Sequence, residues 1–290
     1  MPPRLSFCPR LLPAVLLTLV AACAGSAGTP RPPETSRVPM VRDPSAPPWE
    51  IREPGRRRSQ RIRISAELVS RLDSTARRDS LESTLEVAWG DVPDALPARL
   101  AGMVTQFEIR VPPLTQWQRP QGISLPFSFV AEQVPGEMPR FRTPDGASCT
   151  DLHATVVQGF REAWMALPLR LEPGQAWQDS SRYVMCRDGI PLNVETVRRF
   201  VADSAAERAG ALVLFLRRRT STTLRGEGLQ FGERITLTGE GEGEMALLVS
   251  LDGGAIVAAE GRSVLHVRMD GRRRQQQLLQ TSAIEISEPQ

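Results

Sequence analysis

Met245-Ala246-Leu247-Leu248-Val249-Ser250-Leu251-Asp252-Gly253-Gly254-Ala255-Ile256-Val257-Ala258-Ala259 reads as two strands and the turn that joins them. Met245, Leu247, Val249 and Leu251 recur at every second position, the period of side chains sharing one face of a pleated strand. Asp252-Gly253-Gly254 offers the backbone freedom a tight turn needs. Toward the C-terminus, Val264 to Met269 and Leu278 to Ile286 supply further strands, with Asp270-Gly271 as another turn. Toward the N-terminus, Leu229, Phe231, Ile235 and Leu237 alternate with polar residues, and Ala211 to Leu216 is apolar on both faces, as a covered strand would be. Strands at this spacing with no helices between them predict an up-and-down antiparallel sheet that curls or closes.

The first half follows the same period. Ile62, Ile64, Ala66 and Leu68 alternate with Arg61, Arg63, Ser65 and Glu67, and Leu85, Val87 and Trp89 share a face. Met103, Thr105, Phe107, Ile109 and Val111 form another alternating set, and Leu125 to Val130 is a shorter strand candidate. Arg71 to Arg78 also tolerates a helical turn. One segment has the helical period: Leu152, Val156, Phe160, Ala163, Trp164 and Leu167 form a single apolar stripe, with Thr150 and Asp151 as caps and Pro168 as the stop. The expected fold is therefore mainly β: a curved antiparallel meander, a half-barrel or partly open barrel, with one packed amphipathic helix.

Of the 290 residues, 36 are basic and 33 acidic, a formal net charge of +3, and every basic residue is arginine. Arg4 and Arg10 fall within the first segment described below, and arginine and glutamate are interspersed over the rest. That pattern argues against a nucleic-acid surface, and with Tyr183 as the only tyrosine there is no stacking platform for bases.

The N-terminus carries a location signal. Arg4 and Arg10 precede a short apolar run, Leu11 to Val20, too short to span a bilayer and suited to a signal peptide. Val20-Ala21-Ala22-Cys23 resembles the lipobox of bacterial lipoproteins. The resemblance implies cleavage before Cys23, a diacylglycerol on its sulfur, and an acyl anchor as the membrane partner. An ordinary signal peptide with a chance cysteine is the alternative. Ala24 stands where an aspartate would imply inner-membrane retention, so the analogy implies the outer membrane, facing the periplasm. Residues 1–22 are then a signal peptide, 23–58 a lipidated, proline-rich tether, and 59–290 a β-rich domain divisible into similar halves at 59–147 and 148–290.

Few residues offer chemistry. With Cys8 removed and Cys23 acylated, Cys149 and Cys186 form an even pair in an oxidising compartment and read as a disulfide; a free thiol is the alternative. Such a bridge stabilises by roughly 4 kcal/mol in the chain-entropy model. Cys149, Asp151 and His153 lie at alternate positions, yet the pairing and the helix start argue against a metal site. No Gly-x-Ser-x-Gly elbow occurs, and His266 sits in a strand pattern. Glu240, Glu242 and Glu244 alternate with Gly239, Gly241 and Gly243 and read as a solvated strand face beside a bend. The sequence therefore points to no catalytic residues, metal or cofactor.

Pro173-Gly174-Gln175-Ala176-Trp177, followed by a Gly-x-Gly pair and the late Asp-Gly-Gly turn, resembles β-rich lipoproteins of Gram-negative bacteria over residues 165–287. More loosely, a curled sheet crossed by a helix is similar to the half-barrel of periplasmic lipoprotein carriers and lipid-binding lipoproteins. Three functions follow in order: a non-enzymatic envelope protein binding an apolar or lipid-like ligand on the concave face, a structural or interaction lipoprotein with a filled core, and a hydrolase. The ligand-binding residues stay open at this level.

Overall fold

A computed structural model describes residues 45–52, 57–72, 75–119, 125–133, 137, 139–141, 159–187, 190–208, 210–230, 232–272 and 275–289. Cys23, Cys149, His153 and Phe231 lie outside these residues. Thirteen strands are described among them. They are β1 (Trp49–Glu50), β2 (Arg58–Leu72), β3 (Thr75–Asp91), β4 (Arg99–Arg110), β5 (Phe127–Glu132), β6 (Arg140–Phe141) and β7 (Arg170–Leu171), then β8 (Ala176–Arg187), β9 (Ile190–Arg208), β10 (Ala211–Gln230), β11 (Glu233–Ser250), β12 (Ile256–Asp270) and β13 (Gln275–Ser287).

Eleven strands form one sheet in the order β6-β5-β4-β3-β2-β13-β12-β11-β10-β9-β8. Every pairing in that ladder is antiparallel. The chain meanders outward from β2 to β6, then returns from β8 inward to β13. The last strand pairs with β2, Ile286 facing Ile62 and Ile284 facing Ile64, so both halves belong to one sheet. Next to the edges, Glu137 bridges Ser180 of β8, while the ladder itself does not close. The mainly β, curved and partly open architecture is the one the alternation predicts.

The long strands explain why the interior has two storeys. β10 has 20 residues and β11 has 18, against roughly 5–6 in an ordinary strand. At about 3.4 Å per residue, β10 extends roughly 65 Å. Two separate apolar clusters lie along this length. The larger contains Ile62, Leu85, Trp89, Phe107, Phe200, Leu216, Leu247 and Ile286. The smaller contains Ile190, Leu192, Val194, Leu224, Ile235, Leu237, Val267 and Leu278.

Several local readings are corrected by the structure. The described residues of Arg71 to Arg78 make no helical turn: they belong to β2 and β3, with Ser70 opposite Arg77 and Arg71 opposite Ala76. Met103 and Thr105 do not share the core face with Phe107. A register shift at Glu86/Val87 inserts a residue in β4, so that Val104 and Phe107 both point inward. The helix is described only over residues 159–163, and residues 164–168 belong to neither helix nor strand, so the helical turn ends before Pro168; Thr150, Asp151, Leu152 and Val156 lie outside the described residues. The end of the proline-rich stretch is not a free tether either. Trp49 pairs with Leu171, and both Trp49 and Ile51 are buried in the larger cluster. An indole and an isoleucine flanking the last prolines bury enough apolar surface to hold that segment on the domain.

Candidate functional site

The concave face is occupied by the chain's own residues 159–167. Phe160 is buried edge-on against Trp89 and Phe129, at ring-centroid distances of 4.9 and 5.3 Å. Ala163, Trp164 and Met165 are buried in the same cluster. Gly159 packs closely against β3: a Cβ there would lie 2.8 Å from Leu85 Cδ2, which would have to shift. Trp177, placed on β8 after the Pro173-Gly174 turn, stacks on Phe200 and donates its Nε1 hydrogen to the Ala166 carbonyl at 2.8 Å.

Polar bonds from the sheet fix the same segment. Arg198 of β9 and Asp179 of β8 form a bidentate pair, Nε to Oδ1 at 2.7 Å and Nη2 to Oδ2 at 2.5 Å, and both side chains are almost wholly buried. Arg198 Nη1 also donates to the carbonyls of Arg161, at 2.6 Å, and Trp164, at 2.9 Å. These carbonyls lie in or just after the helical turn, where backbone acceptors lack helical partners. Arg218 of β10 reaches the Glu162 carboxylate at 2.5 Å and the Glu162 carbonyl at 3.1 Å. Burial pushes the Arg218 guanidinium below its ordinary value, with Glu162 opposing that shift. Arg161 lies over the Tyr183 ring at 3.5 Å, and burial pushes it down to about 10 against the opposing pull of Tyr183.

Below this segment the concave face changes character. Between the two apolar clusters runs a belt of small and polar inward residues: Thr196 on β9, Thr220 and Thr222 on β10, Gly241 and Gly243 on β11, Ser263 on β12, and Gln280 and Ser282 on β13. Thr196 and Thr222 share a hydroxyl–hydroxyl bond of 3.4 Å. The belt borders a cavity of about 200 Å³. Glu162 and Arg218 line it on the side of the helical turn, and Tyr183, Leu224, Leu265, Val194 and Met185 on the side of the smaller cluster; Glu242, Glu244 and Arg262 also border it. A dry apolar cavity of about 150 Å³ holds a benzene ring, so the volume suits a small ligand. The glycines let β11 lie close against β12 along this belt. A Cβ on Gly241 would stand 2.7 Å from the Val264 carbonyl, and one on Gly239 would stand 2.6 Å from that of His266.

The alternating acids fall where the sequence suggests. Glu240, Glu242 and Glu244 are exposed on the outer face, and Glu244 pairs with Arg219 at 3.3 Å. His266 is exposed on the same outer face of β12, opposite Glu240. That face also carries an open groove of about 1010 Å³, bordered by Arg63, Arg199, Arg217, Arg219 and Arg262 among others. Although larger, the groove is solvated and mixed in charge, with Arg217 held by Asp203 through two bonds of 2.7 Å. The waist cavity is the better candidate, because its concave setting and apolar floor are what retain a small ligand.

The remaining expected site residues are only partly placed. Cys186 belongs to β8, opposite Pro191, while its expected partner Cys149 is outside the described residues. Among the described residues no group of three or more His, Cys, Asp and Glu side chains could hold a metal ion. Sequence reading missed the Arg198–Asp179 and Arg218–Glu162 pairs. The one available signal was an arginine at an inward position of an otherwise alternating strand.

No protein-family model matches the chain, and no curated protein matches it. Solved structures aligned with it include DynF from the dynemicin biosynthesis pathway of Micromonospora chersina, at 10% identity, 90% of this chain, 93% of that chain and a TM-score of 0.23. Pseudomonas aeruginosa OccK2 (OpdF) in complex with glucuronate aligns at 10% identity over 81% of this chain and 98% of that chain, with a TM-score of 0.24. A DUF1329 family protein from Desulfovibrio piger aligns at 7% identity over 79% and 86%, with a TM-score of 0.17. Scores this low carry no conclusion about function.

Proposed function

We propose that this chain is a non-enzymatic cell-envelope protein that binds an apolar or lipid-like ligand inside its curled sheet. The observation carrying this reading is the waist cavity of about 200 Å³, which separates two apolar clusters that would otherwise be continuous. A sheet evolved only for stability would fill that space, since each unfilled pocket forfeits packing contacts. The segment 159–167 stands over the cavity, and the bonds from Arg198 and Arg218 set how firmly it is held.

A second reading, a structural or interaction lipoprotein, is favoured by one specific feature: Phe160, Trp164 and Met165 already fill the upper concave face. Mass spectrometry of small molecules extracted from natively purified protein separates the two. A co-purifying amphiphile in stoichiometric amount supports binding, and an empty extract supports the filled-core reading.

The location is part of the proposal. The lipobox resemblance at Val20 to Cys23 supports an acyl anchor, most simply in the outer membrane facing the periplasm. Cys23→Ser should leave the protein unprocessed or release it from membranes. A variant that is processed and fractionates like the parent, with no acyl mass on the parent, defeats the anchor.

A further inference from the structure

The charged side chains around the waist cavity are already matched or face away from it. Arg218 is held by the carboxylate and the carbonyl of Glu162. Glu242, Glu244 and Arg262 stand at the alternate, exposed positions of β11 and β12, and Glu244 pairs on that outer face with Arg219. A charged ligand would therefore give up its hydration without meeting an unpaired counter-charge, which is a costly transfer.

The belt residues are the opposite case, polar and barely bonded. The Thr196–Thr222 contact is 3.4 Å, and Gln280 Nε2 reaches Ser282 Oγ at 3.4 Å. Both exceed the roughly 2.5–3.2 Å of a well-made hydrogen bond. Thr220 and Ser263 make no side-chain hydrogen bond among the described residues. Hydroxyl and amide side chains both donate and accept, so this belt suits a neutral hydroxyl or carbonyl oxygen. Leu224, Leu265, Val194 and Met185 offer an apolar end to the rest of the molecule. A dry cavity of about 150 Å³ holds a benzene ring, so about 200 Å³ holds about eight non-hydrogen atoms at the same density.

We propose that the cavity selects an uncharged, single-tailed amphiphile, with about eight of its non-hydrogen atoms inside. Its hydroxyl or carbonyl oxygen lies in the belt between Thr222 and Ser282, and its tail lies on Leu224 and Leu265. This rests on the reading of the cavity as a ligand site, and it adds the head-group chemistry and the size of the ligand.

Isothermal titration of the purified full chain near neutral pH with 1-heptanol, hexanoate, heptylammonium and ethylbenzene tests the head group at a constant size of about eight non-hydrogen atoms. Heptanol should bind at least about tenfold more tightly than either ion, because neither ion finds a free counter-charge. Thr222→Val combined with Ser282→Ala should weaken heptanol by about three- to tenfold, the worth of one hydrogen bond, and leave ethylbenzene unchanged. Either ion binding within tenfold of heptanol overturns the uncharged head. A folded double variant that leaves heptanol unchanged, or weakens ethylbenzene equally, overturns the placement of the head in the belt. Ethylbenzene binding where heptanol does not overturns the polar head and leaves the cavity as an apolar site. Failure of all four probes to bind overturns the cavity reading itself. The comparison of heptanol with the two ions on the unaltered protein decides the matter of charge even if the double variant does not fold.

Discussion

Removing Asp179 from beneath Arg198 should destabilise the fold by about 3–5 kcal/mol, because it strands a buried guanidinium. The magnitude follows from near-complete burial of both side chains and from the two bonds of 2.7 and 2.5 Å between them. Arg198→Met should cost more than Asp179→Leu. It strands the carboxylate and also strips a donor from the carbonyls of Arg161 and Trp164, each worth about 1–3 kcal/mol when left unsatisfied. The double variant Arg198→Met/Asp179→Leu retains only the carbonyl cost. It should therefore be more stable than Arg198→Met alone, by about 3 kcal/mol. Equilibrium urea unfolding followed by tryptophan fluorescence gives each value. A stabilising osmolyte keeps the weakest variant measurable, since total stabilities lie at about 5–15 kcal/mol. Additive costs, or an Asp179→Leu change below about 1 kcal/mol, would refute the claim that this pair holds the segment over the cavity.

Gly241→Ala places a Cβ 2.7 Å from the Val264 carbonyl, a contact the backbone must move to relieve, so thermal melting should show a loss of about 1–3 kcal/mol. The Glu82 carboxyl is raised by burial, but bonds from Arg63 and Arg110 outweigh this and hold it below its ordinary value. A depressed folded-state value contributes stability that is present above the ordinary carboxylate range and lost as pH falls through the folded value. Glu82→Gln should therefore flatten the acid limb of a plot of urea midpoint against pH, and an unchanged acid limb would exclude this contribution. Non-reducing peptide mapping of protein taken from the periplasm should give a Cys149–Cys186 linked peptide; alkylation of both thiols would dispose of the bridge.

The fold was largely legible because one face of each long strand is buried and the other is wet. Met245, Leu247 and Val249, or Ile235 and Leu237, state that period directly, and all five are buried. Bulges were not legible. The shift at Glu86/Val87 lets Val104 and Phe107 share the core, a spacing of three that no two-residue period contains. Another shift, between Leu248 and Val249, offsets the start of β12.

The candidate site was legible only in its glycines. Gly239, Gly241 and Gly243 suggested a bend; they lie on the inward face, where a Cβ would meet the backbone of β12, and two of them, Gly241 and Gly243, border the cavity. Arg198 and Arg218 sit in the runs Arg198-Arg199 and Arg217-Arg218-Arg219, where neighbouring arginines hide which one points inward. Their partners Asp179 and Glu162 are distant in sequence and depend on tertiary placement.

The central claim is that the waist cavity holds a ligand, and filling the cavity tests it most directly. Ser282 lines the cavity from β13, and Ser282→Phe would place a ring in the space without adding charge. Extracts of natively purified parent and variant should be compared by quantitative mass spectrometry, with circular dichroism confirming that the variant is folded. About one amphiphile per chain in the parent and a large loss in Ser282→Phe is the expected result. An empty parent, or equal amounts of the same molecule in a folded variant, would contradict it.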